Sequence, residues 1–437
     1  MKILLVNPPN RFWLYPPLGL AYVAAVLKKE GHSVEVLDMA AEPEKDLNSK
    51  LEGMDAVGVT CTSQTFQSAL TVARKVKSYS PSIPVVFGGA HPSAMPTEVL
   101  NHPEVDVVVK GEGEQALLEV LTDLHGKRIV EAEPLNIDAI PLPARELLPM
   151  KKYAGAGALL TSRGCPFSCC FCFHGVSGHV WRGRKPENVV AEIEELVNHY
   201  GIRDIQVVDD NFSLNVNRAK TIMNLLIDKN LGVSLCFYNG LRADRVDSEL
   251  LQLMKMAGTK LISFGLESRD ETVLRNIDKR VSLKQVETAI CLTHSIGIKV
   301  RVSLMIGNPG DTFRSVMETV EWVKNNADLD AAEFSLCTAY PSTPLYEWVK
   351  KNGTMLVNPE NSPTYFMDKE ASPSFDTQEF PAESRLKALR VAQVAVQRKF
   401  TFHNKSLRNF RVRNVPLYLH EAASIILKRP VKPKFRK

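Results

Sequence analysis

Short apolar segments alternate with amphipathic helical patterns twice along this chain, and this alternation constrains the fold more than any other feature. In the first part, several apolar segments are separated by helical ones, which indicates a parallel sheet with helices packed on it. The sequence therefore predicts a doubly wound α/β unit. Its predicted strands are Lys2–Asn7, Ser33–Asp38, Ala56–Thr60, Pro84–Gly88 and Val107–Lys110, and its predicted helices are Leu18–Glu30, Gln67–Ser78 and Glu114–His125.

A second alternation follows a stretch that contains Pro134, Pro141, Pro143 and Pro149 and has little apolar periodicity. We interpret that stretch as a linker. Six strand units beyond it predict a partial (β/α)6 barrel, because a closed barrel of this type has eight units. The predicted strands are Leu159–Ser162, Ile205–Asp209, Ser234–Tyr238, Leu261–Gly265, Lys299–Ile306 and Ala332–Cys337, and the main helices are Glu187–Tyr200, Val216–Lys229, Leu283–Ile296 and Thr312–Asn325.

The resulting domain prediction divides the chain into four parts. Residues 1–130 form the first α/β unit, 131–152 the linker, 153–350 the partial barrel and 351–437 a helical, basic C-terminal region. We expect the chemistry of the barrel at the C-terminal ends of its strands.

The composition restricts the cellular setting. The 437 residues include eight cysteines, and the first residues lack the basic and then apolar layout of a secretory signal. No uncharged apolar run is long enough to span a bilayer. We therefore expect a cytoplasmic protein, in which a reducing environment leaves thiols available for metal or redox chemistry. The net charge of +5 gives no indication of nucleic-acid binding.

Four cysteines lie close together directly after the first barrel strand, where a barrel keeps its active site. Cys165, Cys169 and Cys172 have the spacing Cys-x3-Cys-x2-Cys. Three thiolates can each bind one iron of a cubane and leave the fourth iron open for a ligand. Cys170 interrupts this spacing and is interpreted as a bystander. The alternative is a zinc site with His174 as the fourth ligand, although structural zinc usually takes its ligands from two separated pairs.

With Phe171 before the last cysteine, this segment resembles the Cys-x3-Cys-x-aromatic-Cys motif of the radical S-adenosylmethionine (SAM) superfamily. The resemblance implies that Cys165, Cys169 and Cys172 bind a [4Fe–4S] cluster and that the amino and carboxylate groups of SAM occupy the open iron. It also implies that the reduced cluster cleaves SAM to a 5′-deoxyadenosyl radical, which abstracts hydrogen. Such an enzyme requires a reducing electron donor, while the protein supplies binding, orientation and exclusion of water.

The ends of the later barrel strands resemble the SAM-contacting segments of the superfamily. Helix capping, structural ion pairing and turn formation are the alternative explanations for the residues concerned. The resemblance implies Asp209 and Asp210 near the methionyl amine, Arg242 near the carboxylate or ribose, Glu267 and Ser268 in a Gly-x-Glu-Ser signature, and Gly307 beside the adenine.

The N-terminal unit resembles the cobalamin-binding domain of one radical SAM branch, which includes methyltransferases and an oxidative cyclase of chlorophyll synthesis. The matching motifs fall at predicted strand ends, where an open α/β sheet binds its ligand. The resemblance implies cobalamin, with Gly88 and Gly89 close to its nucleotide tail. No Asp-x-His-x-x-Gly occurs in residues 1–130, which implies that no protein imidazole holds the lower cobalt face. A nucleotide-binding or purely structural domain is the alternative. The motifs are Asn7-Pro8-Pro9, Pro16-Pro17-Leu18-Gly19-Leu20, Gly88-Gly89-Ala90-His91-Pro92 and Gly111-Glu112-Gly113-Glu114.

The C-terminal tail is basic. From Arg398 onward it contains twelve Lys or Arg residues and one acidic residue, Glu421, around the apolar segments Val415–Leu419 and Ile425–Leu427. This pattern predicts either peripheral contact with an anionic membrane or a solvated segment that covers the barrel. The sparse aromatic residues argue against nucleic-acid binding.

The function predicted from these features is cobalamin-dependent methylation of an unactivated carbon in a small molecule such as a lipid or a tetrapyrrole. Cyclisation or oxidation without methyl transfer is the alternative within the superfamily. A noncatalytic metal-binding protein is the alternative outside it.

Overall fold

The computed structural model describes residues 1–10, 15–357 and 372–403. The predicted basic tail beyond His403 lies outside these residues. Within them, no helix combines the length and the apolar composition that crossing a membrane requires.

The N-terminal unit is a parallel sheet of six strands covered by helices on both faces. The strands, in chain order, are β1 (Lys2–Asn7), β2 (Ser33–Asp38), β3 (Ala56–Thr60), β4 (Val85–Gly88), β5 (Val107–Lys110) and β6 (Arg128–Glu131). The helices are α1 (Leu18–Lys29), α2 (Phe66–Tyr79), α3 (Ala90–Ala94), α4 (Pro96–Leu100) and α5 (Gly113–Thr122).

The strand order of this sheet is β2-β1-β3-β4-β5-β6. Two apolar cores form, one on each face, and Phe66 and Phe87 belong to one of them while Leu20 and Leu27 belong to the other. Burial on both faces explains why the strands read as continuous apolar runs. The order changes direction between β1 and β3, and a crevice for a ligand is expected beyond the C-terminal ends of strands at such a switch point.

The second unit contains a six-stranded parallel sheet in the order β14-β13-β12-β11-β10-β7, which confirms the predicted partial barrel. Its strands are β7 (Gly157–Leu159), β10 (Asp204–Val207), β11 (Ser234–Leu241), β12 (Thr259–Glu267), β13 (Lys299–Ile306) and β14 (Ala331–Leu336). Two short two-stranded sheets accompany it, β8 (Ser162–Arg163) with β9 (Arg182–Gly183) and β15 (Thr354–Met355) with β16 (Phe375–Asp376). The helices are α6 (Pro186–Asn198), α7 (Val216–Lys229), α8 (Ser248–Met256), α9 (Glu271–Asn276), α10 (Leu283–Ser295), α11 (Phe313–Asn325), α12 (Pro344–Asn352) and α13 (Ala382–His403).

Side chains alternate between the two faces of the barrel strands. On β13, Val300, Val302 and Leu304 are buried in the main apolar core, whereas Arg301 and Ser303 between them are only half-buried. Helix α13 packs against α11 and β14 and covers the last strand.

The first predicted barrel strand is divided in the structure. β7 ends at Leu159, and Ser162–Arg163 pairs instead with Arg182–Gly183 in an antiparallel ladder. The division has a local cause, because Thr161 and Ser162 both donate hydrogen bonds to the buried carboxylate of Asp209 at the end of β10.

The predicted linker is fixed by buried charge. Arg145 is 1% exposed and forms an ion pair of 2.5 Å with Glu192, which is 0% exposed and also pairs with Arg184. Tyr153 donates a hydrogen bond of 2.7 Å to Asp38 of β2. These contacts attach the linker to both units, while the exact domain boundaries stay a prediction.

Candidate active site

The three motif cysteines lie in a loop whose two ends are joined by the β8–β9 pairing. Gly164 opens the loop with a φ of 82°, and a Cβ at this position would overlap the carbonyl of Val180. The Cys165 N–H donates to the carbonyl of Gly178 at 3.4 Å. Only glycine fits this narrow neck, which returns the chain to its starting point after the cysteines.

The structure brings the Cys169 and Cys172 thiols into contact and surrounds the loop with polar groups. The hydrogen bond from Cys172, together with the charge of Lys279, lowers the pKa of Cys169 to about 7. The Asn211 amide donates to Cys165 Sγ at 3.9 Å. The lowered pKa of Cys169 favours its thiolate, the form that binds a metal, whereas the pKa values of Cys165 and Cys172 are raised. The role of the three residues as cluster ligands stays a prediction.

Cys170 and Phe171 have different surroundings from the other motif residues. Both pack against an apolar cluster that includes Cys337, Leu345 and Phe375. Burial raises the pKa of Cys170 to about 12, but the pKa values of Cys165 and Cys172 are raised as well, so it is the packing that distinguishes Cys170 from the other motif cysteines. This environment supports the interpretation of Cys170 as a bystander.

The zinc alternative finds no ligand set in residues 1–10, 15–357 and 372–403. No group of three or more His, Cys, Asp or Glu side chains there is arranged to hold a metal ion. The His174 ring stacks on His179 with 4.2 Å between centroids. A cubane differs from zinc because each thiolate binds a separate iron, so its ligands need not converge on one point.

Asp209 and Asp210 have different roles in the structure. Asp209 is buried and accepts hydrogen bonds from Thr161 N–H at 2.6 Å, Thr161 Oγ1 at 2.5 Å and Ser162 Oγ at 2.6 Å. These bonds favour a structural role for Asp209. Asp210 is exposed and accepts from Gly164 N–H at 3.2 Å, beside the cysteine loop. Their contacts with SAM stay predictions.

Glu267 ends β12 in a left-handed conformation, with a φ of 66°. Its Oε1 accepts a hydrogen bond of 2.7 Å from Lys279 Nζ. A Cβ on Gly265 would lie 2.7 Å from this Glu267 oxygen, so glycine leaves room for the ion pair. Ser268 is buried and accepts from the Asp270 N–H at 3.1 Å. The structure therefore places an acid and its cation beside the cysteines.

Sequence reasoning missed Lys279. Burial disfavours its charge, but Glu267 and Cys169 outweigh burial and raise the pKa of Lys279. Its Nζ also lies 5.9 Å from the centroid of the Phe171 ring. The signal available in the sequence was the charged run Asp278-Lys279-Arg280 after the fourth barrel strand, and the structure places Asp278 and Arg280 at positive φ.

Arg242 is held by internal hydrogen bonds. It donates to both carboxylate oxygens of Asp244, at 2.9 and 3.3 Å, and to the carbonyls of Lys279 and Arg280, at 3.1 and 2.9 Å. Its guanidinium carbon lies 3.4 Å from the centroid of the Phe167 ring in the cysteine loop. Arg242 therefore joins this loop to the turn that carries Lys279, and its contact with SAM stays a prediction.

Gly307 has a structural neighbour that the sequence did not indicate. Its φ is 94°, and a Cβ would lie 2.8 Å from Arg385 Cδ on α13. Its N–H donates to Asp311 at 3.0 Å. The structure thus explains glycine at position 307 by the packing of Arg385 and not by space for an adenine. The contact with adenine stays a prediction.

A large cavity lies at the C-terminal ends of the N-terminal strands. It contains about 890 Å³ of space, part of it open to solvent, and Arg163, Val176 and Ser177 of the cysteine region complete its wall. Its floor is apolar, with Leu5, Val59, Val86 and Val109 from four neighbouring strands. Glycines line much of the rest, namely Gly19, Gly58, Gly88, Gly89, Gly111 and Gly113.

The glycines provide the fit test for a large flat cofactor. A Cβ on Gly19 would meet no atom within 4 Å, and one on Gly88 would meet only Val109 Cβ at 4.0 Å, so both face open space. Gly89 is packed instead, since its Cβ would lie 2.8 Å from Thr60 Oγ1. An apolar floor with a glycine rim fits a corrin and its nucleotide tail, because backbone allows close approach.

Comparisons with known proteins agree with both halves of this arrangement. The B12 binding domain family matches residues 13–121, and the Radical SAM superfamily matches residues 159–323. An uncharacterized methyltransferase, PH0819, of Pyrococcus horikoshii is 33% identical over 392 residues, which cover 82% of this chain and 84% of the relative. The anaerobic magnesium-protoporphyrin IX monomethyl ester cyclase of Rubrivivax gelatinosus is 26% identical, covering 76% of this chain and 66% of the cyclase.

Solved structures share the fold. The radical SAM methyltransferase TsrM from Kitasatospora setae, with cobalamin and a [4Fe–4S] cluster bound, superposes with a TM-score of 0.70 at 20% identity and covers 90% of both chains. The chain therefore belongs to the radical SAM superfamily, in the branch with an N-terminal B12 binding domain, and its cofactors are a [4Fe–4S] cluster, SAM and cobalamin.

Proposed function

We propose that this enzyme methylates an unactivated carbon of a small molecule. The observation that carries the proposal is the shared wall, in which Arg163, Val176 and Ser177 of the cysteine region close the glycine-lined cavity of the N-terminal unit. The cysteine region therefore borders the space that a corrin would occupy. When bound, the cluster and SAM supply hydrogen abstraction and the corrin supplies a methyl group.

The residues of this chain bind and orient these groups. Cys165, Cys169 and Cys172 would each hold one of three irons of the cluster, with Lys279 offsetting part of the negative charge of the thiolates. Asp210, exposed beside the loop, would accept a hydrogen bond from the SAM ammonium group. Exclusion of water from the site would strengthen the charge interactions that these residues make.

The substrate class also belongs to this proposal. We place lipids and tetrapyrroles first, because one relative is named a hopanoid methylase and another is named for a magnesium-protoporphyrin ester. Contact with a membrane through the basic tail rests on the sequence alone. A reducing electron donor is required whether the substrate is a lipid or a tetrapyrrole.

The test is anaerobic reconstitution with iron, sulfide and hydroxocobalamin, followed by incubation with a chemical reductant such as dithionite, SAM carrying a trideuterated methyl group, and a panel of lipids and tetrapyrroles. Methylation predicts S-adenosylhomocysteine, 5′-deoxyadenosine and a product that contains the labelled methyl. The Cys169→Ala variant is the matched control and should give none of them.

A different product pattern would overturn the proposal. Formation of 5′-deoxyadenosine and an altered product without labelled methyl would assign the enzyme to cyclisation or oxidation instead. Intact SAM in the presence of a complete, reduced cluster would remove the radical reaction altogether.

A further inference from the structure

The neck of the cysteine loop carries two arginines that face the N-terminal unit. In the β8–β9 ladder, Arg163 stands opposite Arg182, so one arginine lies at each end of the loop. Between them the chain carries the three motif cysteines and then Val176 and Ser177, which line the glycine-rich cavity. Any force on this pair of arginines therefore acts on both ends of the loop.

Both arginines bind carboxylates of residues 111–114, which lead from β5 into the first turn of α5 and are called the 111–114 loop below. Arg182 contacts both oxygens of Glu112, at 2.6 and 2.9 Å. Arg163 lies 2.5 Å from Glu114 and 3.4 Å from Glu112. Arg182 also donates to the carbonyl of Ser177 at 3.1 Å. A paired, bidentate arginine–carboxylate contact fixes orientation as well as distance.

The four side chains form a neutral and largely buried cluster. Glu112 and Glu114 expose 3% and 4% of their side chains, and Arg163 and Arg182 expose 9% and 16%. Burial raises the pKa of Glu112, but the hydrogen bond from Arg182 and the charge of Arg163 outweigh it and lower that pKa. Removal of one member leaves an unpaired buried charge, so the cluster is expected to act as a unit.

The same two glutamates line the cavity. Gly111, Glu112, Gly113 and Glu114 follow β5 and form part of its wall. A ligand in the cavity therefore restrains the 111–114 loop, and this loop holds the neck of the cysteine loop through the ion cluster.

We propose that Glu112, Glu114, Arg163 and Arg182 are positioning residues that couple corrin binding to order in the cysteine loop. The inference rests on the proposed function only in that both cofactors bind the same chain. Coupling between two binding sites is reciprocal. The [4Fe–4S] cluster therefore raises the affinity for the corrin by the same factor by which the corrin raises the affinity for the [4Fe–4S] cluster.

The experiment measures the affinity of the full chain for hydroxocobalamin by absorbance titration, with and without anaerobic cluster reconstitution. We expect the [4Fe–4S] cluster to tighten the binding of hydroxocobalamin roughly 5-fold or more. In Glu112→Gln this ratio should fall towards one. Glu131→Gln is the matched control, because Glu131 lies on the adjacent strand β6 and pairs with Lys110 rather than with the arginines, so its ratio should equal that of the unmodified chain.

A second measurement guards against a Glu112→Gln chain that fails to fold. Arg182→Lys keeps the positive charge and loses the bidentate contact with Glu112. In this variant and in the unmodified chain, both without the [4Fe–4S] cluster, hydrogen exchange of the cysteine loop is followed as hydroxocobalamin is added. Protection should rise in the unmodified chain and rise less in Arg182→Lys.

Two outcomes overturn the coupling. One is equal corrin affinity with and without the cluster in the unmodified chain, and the other is an unchanged ratio in Glu112→Gln. Neither readout depends on product, so absence of methyl transfer would refute the proposed function and leave the coupling standing.

Discussion

Replacement of Gly89 by alanine tests whether the backbone after β4 requires glycine. Gly89 has φ 102° and ψ −165°, a region that residues with a Cβ avoid. An added Cβ would lie 2.8 Å from Thr60 Oγ1 and 2.9 Å from the Cys61 carbonyl oxygen, both at the end of β3. The carbonyl belongs to the backbone and has little freedom to move away.

The expected loss is the sum of two contributions. The backbone conformation costs about 1–3 kcal/mol for a residue other than glycine, and forcing a methyl group into a packed site adds about 1–3 kcal/mol. Gly126→Ala is the matched control, because Gly126 also has a positive φ, 85°, but its Cβ would meet no atom within 4 Å. That variant should lose only about 1–2 kcal/mol.

Hydrogen-exchange mass spectrometry of the cobalamin-free chain measures the free energy of opening of β3 and β4 in both variants. Hydroxocobalamin titration then reports whether the cavity is retained. Gly89→Ala should show the larger loss of protection and weaker corrin binding than Gly126→Ala. Equal protection of β3 and β4 in the two variants would refute the argument that Thr60 and Cys61 require glycine at position 89.

Three further predictions concern the barrel. Cys170→Ala should keep the iron content after anaerobic reconstitution, whereas Cys169→Ala should lose most of it, because Cys170 lies outside the Cys-x3-Cys-x2-Cys spacing and packs against the apolar cluster of Cys337, Leu345 and Phe375. Equal iron losses in these two variants would contradict this reasoning. Glu192→Ala leaves two buried arginines unpaired and should lower the free energy of unfolding in urea by about 3–5 kcal/mol, against less than about 1 kcal/mol for Glu194→Ala, whose partner is exposed. Burial raises the pKa of Asp311 from 3.8 to about 6, so folding favours the protonated form, and the free energy of unfolding should fall by roughly 3 kcal/mol as the pH rises through that window. Asp311→Asn should abolish this fall, and urea denaturation at several pH values measures it.

The strands follow from the sequence where their apolar pattern is strong. The predictions for β1 and β3 match the observed bounds because each is a continuous apolar run between turn residues. Those for β2 and β13 match because apolar residues alternate with polar ones along the strand. β6 was not predicted, because only Val130 of its four residues is buried and the apolar pattern is too weak. A short edge strand of this kind is determined by its neighbour β5 rather than by its own composition.

Whether a site residue could be predicted depends on how far away along the sequence its partner lies. The spacing of Cys165, Cys169 and Cys172 is local, so the motif was visible in the sequence. The contact of Arg163 with Glu114 joins residues 49 apart, and that of Arg182 with Glu112 joins residues 70 apart. No local periodicity encodes such pairs, because they arise from the packing of one unit on the other.

Motif residues at strand ends can therefore act on the site through internal contacts as well as through direct contact with SAM. Asp209, Arg242 and Gly307 were all expected at SAM, yet each has a close internal neighbour that accounts for its residue type. Asp209 holds the residues that lead into the cysteine loop, and Arg242 packs on Phe167 within it, so a substitution of either would disturb SAM binding without a direct contact. Lys279 shows the converse, since it lies in no motif that the sequence revealed, and yet its charge lowers the pKa of Cys169 more than that of Arg242 does. Its pair with Glu267 holds it in place. The charge of Lys279 acts on the thiolates with or without a bound [4Fe–4S] cluster, because Coulomb interactions between buried groups are weakly screened.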